Sequence, residues 1–301
     1  MPDRSRLFGG VETGGTTCVC ALATADGRLV ARCEVPTTDP DATLAQVASF
    51  FRGRDRPEAI GIGSFGPVDL DVDSPTWGHV TNTPKLLWRD ANVAPRLQDD
   101  LGVPVVFDHD VAAAAYGEYV WGAGRDLPSL AYLTVGTGIG VGLVLNGRIW
   151  YGASLPEVGH IRIPRVPGDT YPGSCPSHGD CWEGLACGPA LAARYGCDPA
   201  GLAADHRGWE LEAQYVAAGV LAISLVVSPH RLVVGGGVGR REGLLPLVRK
   251  RVRELFNDYL HRPMYNEEID SYLVAPELGA DAGVLGAVAL ARDRLRPARW
   301  S

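Results

Sequence analysis

Apolar residues recur along this chain in short runs, and clusters of glycine with small hydroxyl residues separate them. The run over residues 7–12 ends in Thr13-Gly14-Gly15-Thr16-Thr17 and resumes over 18–23, which predicts a hairpin with a glycine and hydroxyl turn. Residues 40–52 carry helical spacing through Leu44, Val47, Ala48 and Phe51. A short strand over 59–62 feeds Gly63-Ser64-Phe65-Gly66-Pro67. A strand over 103–107 is followed, after Asp110, by an alanine-rich helix over 111–119. Strands over 130–135 and 140–145 flank Gly136-Thr137-Gly138, a second hairpin of the same design. A helix over 210–227 leads to a strand over 231–234 and Gly235-Gly236-Gly237, and helices over 244–259 and 282–294 follow.

Two such hairpins, each opening a run of strands then helices, predict a duplicated α/β architecture with a cleft between the halves, a setting for ligand-driven closure. The 301 residues suffice for two domains. With 46% hydrophobic and 21% charged residues the composition is that of a soluble globular protein. A net charge of -7 and the lack of a basic run argue against a nucleic-acid surface. The apolar stretch over 216–227 is too short and interrupted to span a bilayer. Met1 to Arg6 is polar and enters the first strand without an apolar export core, so a cytoplasmic location is expected. Seven cysteines in that compartment do not make a disulfide scaffold.

The 38 glycines cluster where backbone turns tightly or approaches a ligand. There is no Gly-x4-Gly-Lys-Ser/Thr, which excludes a P-loop. Gly61-x-Gly63-x-x-Gly66 matches the dinucleotide pattern, but Pro67 follows and no helix opens there to hold a pyrophosphate. Thr13 to Thr17 and Thr134 to Gly138 each offer consecutive N–H groups with hydroxyls, the makings of an anion nest. Either alone reads equally well as a tight hairpin turn; the pair at matching positions favours phosphate. Asp108-His109-Asp110 lies where a strand ends and a helix begins. Asp110 is placed to cap that helix, and as a carboxylate at a strand's C-terminal end it is also placed to accept a hydroxyl proton.

Between Glu157 and Glu183 the chain holds His160, then Cys175, His178 and Cys181 in a Cys-x2-His-x2-Cys run. Two thiolates and two imidazoles form a structural zinc set, and Pro172, Gly173, Pro176 and Gly179 make the segment a loop. A Cys175–Cys181 disulfide or unrelated thiols are the alternatives, weighed below zinc. Cys18, Cys20, Cys33, Cys187 and Cys197 sit among apolar or small residues as expected buried fillers. A metal that fixes the flanking glutamates points to a hydroxyl-rich ligand.

Gly63-Ser-Phe-Gly-Pro-Val-Asp69, Gly78-His-Val-Thr-Asn-Thr-Pro-Lys85, Cys175-Pro-Ser-His-Gly-Asp-Cys-Trp-Glu-Gly-Leu-Ala186 and residues 276–287 carry a resemblance. From about residue 8 to 291 the chain resembles the ROK family of bacterial sugar kinases, and within it the fructokinase branch. The resemblance implies a two-lobed actin-like ATPase (ribonuclease H-like) α/β fold with an inter-lobe cleft. It implies an N-terminal lobe of residues 1–110 completed by a helix over 282–296, and a C-terminal lobe of 111–281 carrying the zinc loop 160–181. Gly14, Gly15, Thr16 and Thr17 would form the first phosphate turn, and Gly136, Thr137 and Gly138 the second. Gly235, Gly236 and Gly237 would approach the adenosine. Asp110 would be the general base. Glu157, His160 and Glu183 would surround the sugar, with His160 also a zinc ligand. His79 and Asn82 are further candidates for the sugar, with loop packing the competing role for His79. ATP, Mg2+ and Zn2+ are the implied cofactors, D-fructose the implied sugar, and a homodimer the implied assembly, with no nucleic acid or membrane partner.

Three positions depart from the family pattern: Glu12 replaces a frequent aspartate, Thr17 a frequent lysine, and Ala112 a frequent asparagine. Ala112 keeps mannose or a cyclitol open as the acceptor. A non-catalytic sugar-binding protein would need degraded phosphate turns or a missing Asp110. A sugar-responsive repressor would need an N-terminal helix-turn-helix, for which a first strand starting by Leu7 leaves no room. Trp77, Trp88, Trp150 and Trp182 are candidates to stack on a sugar, Trp182 foremost, against burial in the core. Lys85, one of two lysines among 28 basic residues, matches fructokinases without indicating a role.

Overall fold

The computed structural model describes residues 6–293. In chain order these form β1 (Leu7–Thr13), β2 (Thr17–Thr24), β3 (Leu29–Pro36), α1 (Pro40–Arg52), β4 (Ile60–Ser64), α2 (Ala94–Leu101), β5 (Val105–His109) and α3 (Asp110–Trp121). Then follow β6 (Ser129–Val135), β7 (Ile139–Leu145), β8 (Arg148–Ile149), α4 (Trp182–Ala186), α5 (Gly188–Tyr195) and α6 (Gly208–Val226). The chain continues through β9 (Arg231–Gly235), α7 (Gly236–Gly239), α8 (Leu244–Phe256), α9 (Ile269–Tyr272), β10 (Leu273–Val274) and α10 (Ala282–Asp293). They divide into a first unit of residues 6–126, 142–154 and 280–293 and a second of 127–141 and 155–279.

The first unit is built on a sheet of order β3-β2-β1-β4-β5. Its β1–β2 and β2–β3 pairs are antiparallel, and β1–β4 and β4–β5 are parallel. β3 exposes every second residue, the pattern of an edge strand. α1 starts where Asp39 accepts the Ala42 N–H (2.9 Å) and Pro40 sets the first turn. α10 crosses β1 and β4 at very short range because Gly61 has no side chain: a methyl there would come 1.8 Å from the Ala287 carbonyl. Phe8, Ala21, Ala23, Ala59, Val284, Val288 and Ala291 close that core. The Gly61/Gly63 pair therefore serves helix packing, and no helix follows it.

The sequence expectation divided the chain at 110/111, whereas residues 111–126 and 142–154 stay with the first unit. The reason is that α3 packs on α10: a methyl at Gly286 would meet the Ala113 carbonyl at 1.8 Å. Residues 282–293 of the expected closing helix form α10, and 294–296 lie outside the described residues.

The second sheet has the order β10-β9-β6-β7-β8, with β6, β9 and β10 parallel. α6 is 19 residues long and apolar enough by composition to cross a bilayer, longer than the stretch expected from sequence. Trp209, Ala213, Tyr215, Val216, Ala217, Val220 and Ile223 are buried within the unit, the pattern of a core helix. Trp182 is fully buried, its ring filling the space left by Gly219, so it is a core anchor and not a stacking surface. Trp88 is likewise buried. Asp169 accepts bonds from Tyr215 (2.5 Å) and Arg194 (3.0 Å), while Arg194 also donates to the Leu185 carbonyl (2.9 Å). Burial opposes the Asp169 charge, but these donors and the Tyr171 N–H hold its carboxyl below the usual range. All seven cysteines are free thiols. Cys18, Cys20 and Cys187 are buried as expected, whereas Cys33 is partly exposed on the edge strand and Cys197 is exposed beyond α5.

Candidate active site

In the first unit the turn after β1 is held from outside. Gly14 donates to the Thr17 carbonyl (3.0 Å), the Thr37 hydroxyl donates to the Gly14 carbonyl (2.8 Å), and the Thr37 N–H donates to the Thr16 carbonyl (3.0 Å). With those carbonyls occupied, the N–H groups of Gly15 and Thr16 have no acceptor among the described residues. That is the arrangement an anion nest needs. Glu12 precedes the turn. Burial, then the nearby Asp110 and Asp281 carboxylates, push its carboxyl up to about 7, with Arg32 and the Val284 N–H opposing.

The two aspartates around His109 have different environments. Asp108 is buried, accepts the Tyr151 hydroxyl and the His109 N–H (2.7 Å), and burial raises it to about 6. Asp110 stays accessible. The expected cap is displaced by one residue: His109 takes the N-cap position without a side-chain bond, and Asp110 is the first helical residue. Its Oδ1 accepts the Val111 N–H (2.7 Å) and lies 2.8 Å from His109 Nδ1. Oδ2 has no partner among the described residues, so it is the oxygen available to a substrate hydroxyl.

His79 and Asn82 belong to a long loop after β4, stitched by bridges between Val68 and Val80 and between His79 and Asn92. Within it Asp69 accepts the Ser74 (2.6 Å) and Thr76 (2.7 Å) hydroxyls and the Asp71 N–H (3.0 Å). These bonds hold the Asp69 carboxyl below the ordinary range against its burial. His79 Nδ1 is buried without a hydrogen-bond partner among the described residues, and Asn82 is exposed with its side chain unbonded.

In the second unit the turns after β6 and β9 are neighbours, because Thr134 and Gly235 pair at the carboxyl ends of parallel strands. Such strand ends are the usual ligand side of a parallel sheet. Gly136 donates to the Gly138 carbonyl (2.9 Å), leaving the Thr137 and Gly138 N–H groups without acceptors among the described residues. Gly236 has φ +82° and its α-carbon faces the Val135 carbonyl too closely for a side chain, while Gly237 opens onto free space. Glu183 Oε2 accepts the Ile139 N–H (3.0 Å), bracing the turn. Gly159 packs on the carbonyl of the same Ile139, which brings the Glu157–His160 segment to that strand end.

His160, Cys175, His178 and Cys181 converge, with all four donor atoms within 4.8 Å of one another. Their Sγ–Nδ1 separations are 3.5, 3.7 and 3.7 Å. A tetrahedron with zinc bond lengths to sulfur and nitrogen has an S–N edge of about 3.6 Å, so the donor set fits that ion. Burial, with the neighbouring Cys175 and Glu183, pushes the Cys181 thiol up to about 11 against a bond from Gly184, so a cation is what makes its thiolate favourable at neutral pH. Reciprocal backbone bonds between Cys175 and Gly179 (3.1 and 2.9 Å) shape the knuckle.

Residues 8–294 match the ROK family profile. The chain belongs to the ROK family. The match covers both units, and the fold is the actin-like α/β ATPase fold of the ROK kinases. A fructokinase of Zymomonas mobilis is 38% identical over 97% of this chain and 98% of its own length. A fructokinase of Pediococcus pentosaceus is 35% identical over 97% of this chain and all of its own length. Among solved structures, a ROK family glucokinase of Streptomyces griseus in complex with glucose and AMPPNP has a TM-score of 0.75 and 30% identity, covering 95% of this chain and 99% of that one. Thr37 and Tyr151, which hold the turn and Asp108, escaped the sequence reading of this ROK chain. Only the hydroxyl pair after the edge strand signalled Thr37, and nothing local signalled Tyr151.

Proposed function

We infer that the protein phosphorylates a hexose at the expense of ATP, and that its acceptor is D-fructose, giving fructose 6-phosphate. The full-length similarity to fructokinases supports the substrate class. The observation that carries the chemistry is the unoccupied Oδ2 of Asp110 at the start of α3. In this reading Asp110 takes the proton of the sugar 6-hydroxyl as that oxygen bonds to the γ-phosphorus. The bond from the γ-phosphorus to the β,γ-bridging oxygen breaks, and ADP leaves.

The unpaired N–H groups of Gly15 and Thr16, with the hydroxyls of Thr16 and Thr17 beside Gly14, hold phosphate oxygens. Those of Thr137 and Gly138, after Gly136, do the same. Gly235, Gly236 and Gly237 leave room for the adenosine. Magnesium brought with ATP neutralises the transferring phosphate. His79, Asn82, Glu157, His160 and Glu183 orient the sugar. His160, Cys175, His178 and Cys181 hold zinc, whose part is to fix the loop that presents Glu183. We place the enzyme in the cytoplasm, as a homodimer.

The test is a coupled ADP-release assay with Mg-ATP across fructose, mannose, glucose, N-acetylmannosamine and a cyclitol. Preferred turnover of fructose, with fructose 6-phosphate as product, is the expected result. Preference for another acceptor corrects the sugar and keeps the kinase. A folded, zinc-loaded protein that releases no ADP with any of them refutes the reading.

A further inference from the structure

We propose that Lys85 supplies the positive charge that the first phosphate turn lacks, donating from Nζ to a phosphate oxygen of bound ATP. The inference rests on the kinase reading above and adds to it a nucleotide-positioning residue. The turn from Thr13 to Thr17 contains no basic side chain, and its last residue is a threonine. Lys85 lies far from it in sequence, yet the end of its side chain covers it: a methyl at Gly15 would sit 3.6 Å from Lys85 Cε. The ammonium lies 5.8 Å from the centre of the Phe65 ring. No carboxylate lies within ion-pair distance of it among the described residues. An ammonium without a counter-charge, above two N–H groups without acceptors, is a site for an anion.

The position is held from below. The Lys85 carbonyl accepts the Trp88 N–H (2.8 Å), and its N–H donates to the hydroxyl of buried Thr83 (3.4 Å). Trp88 is buried, donates from Nε1 to the Thr38 carbonyl (2.8 Å), and meets the Phe65 ring edge-on at 5.3 Å between centroids. Thr37, next to Thr38, is the residue that clamps the turn. The segment carrying Lys85 and the turn below it thus share one support, so little freedom remains to be lost on binding. In a chain whose other basic residues are arginine except Lys250, a compact point charge against a glycine is a specific choice.

The test compares Lys85→Met, Lys85→Met with Thr17→Lys, and wild type, each checked for an unchanged melting temperature. ATP and ADP affinities are titrated directly, and KM is measured separately for ATP and sugar. The expected result is a loss of ATP affinity of roughly 10- to 100-fold in Lys85→Met, the scale of one charged hydrogen bond. The sugar KM should stay within about twofold, and Thr17→Lys should recover most of the loss by restoring the charge from below. Unchanged ATP affinity, or a change confined to the sugar KM, overturns the proposal. Because nucleotide titration needs no turnover, a wild type inactive on every sugar would count against the kinase reading alone.

Discussion

Replacing Glu12 with glutamine isolates one buried charge. The Glu12 carboxyl packs where a methyl at Gly283 would come within 2.5 Å of it, with Asp110 and Asp281 nearby. Arg32 offsets part of the negative field but is itself paired to Asp281 (2.8 Å). The folded carboxyl titrates at about 7, against 4.5 for an ordinary glutamate. A raised carboxyl pKa stabilises the fold below 4.5, and that stability is lost as pH rises to about 7. At about 1.4 kcal/mol per pH unit, the loss across that window is at most about 3.5 kcal/mol. Glu12→Gln removes the proton and so the slope. Asp108, raised to about 6, loses stability in the same direction but contributes equally to both proteins. Urea unfolding at pH 5, 6, 7 and 8 should show the variant gaining on wild type by about 2–3 kcal/mol between pH 5 and 8. The same gap at every pH would refute the argument. The variant should also lose turnover, since the charge sits beside Asp110 and the phosphate turn.

Further outcomes are specific. Asp110→Asn keeps the bond from the Val111 N–H but cannot accept a proton, so kcat should fall roughly 10²- to 10⁴-fold with the melting temperature unchanged; a near-normal kcat would move the base elsewhere. Cys175→Ser should release zinc, read by elemental analysis after dialysis against a chelator, and raise the sugar KM; full zinc retention would remove Cys175 from the ligand set. Gly61→Ala drives a methyl into the Ala287 carbonyl and should cost about 1–3 kcal/mol, lowering the melting temperature by roughly 3–10 °C, and an unchanged melting temperature would show that α10 yields there.

Much of the strand and helix order was legible because apolar runs are cleanly interrupted by glycine and hydroxyl turns. Residues 40–52 form α1, framed by Asp39, Pro40 and the following Gly53. Other elements left weaker traces. β3 alternates as an edge strand with Arg32 and Glu34 on its open face, and α2 is an eight-residue helix with two buried residues. α4 and α5 owe their place to Trp182 in its slot against Gly219 and to the Arg194–Asp169 pair, both fixed only by tertiary packing. At the site, residue types that a metal or phosphate demands announced themselves at short spacing. The unit boundary depends on the packing of α3 against α10, some 170 residues away, and no local pattern reports it.

α10 has one more implication, for synthesis. The face of β1 and β4 that it covers, including Phe8 and Ala59, is made early, while Val284, Val288 and Ala291 come near the end. At about 5–20 residues per second, a ribosome needs roughly 10–30 s to travel from Trp121 to α10. During that interval the first unit is a sheet with an uncovered apolar face, while most of the second unit is being completed. The nascent chain is therefore a natural client for a holding chaperone, and the arrival of α10 is what ends the dependence.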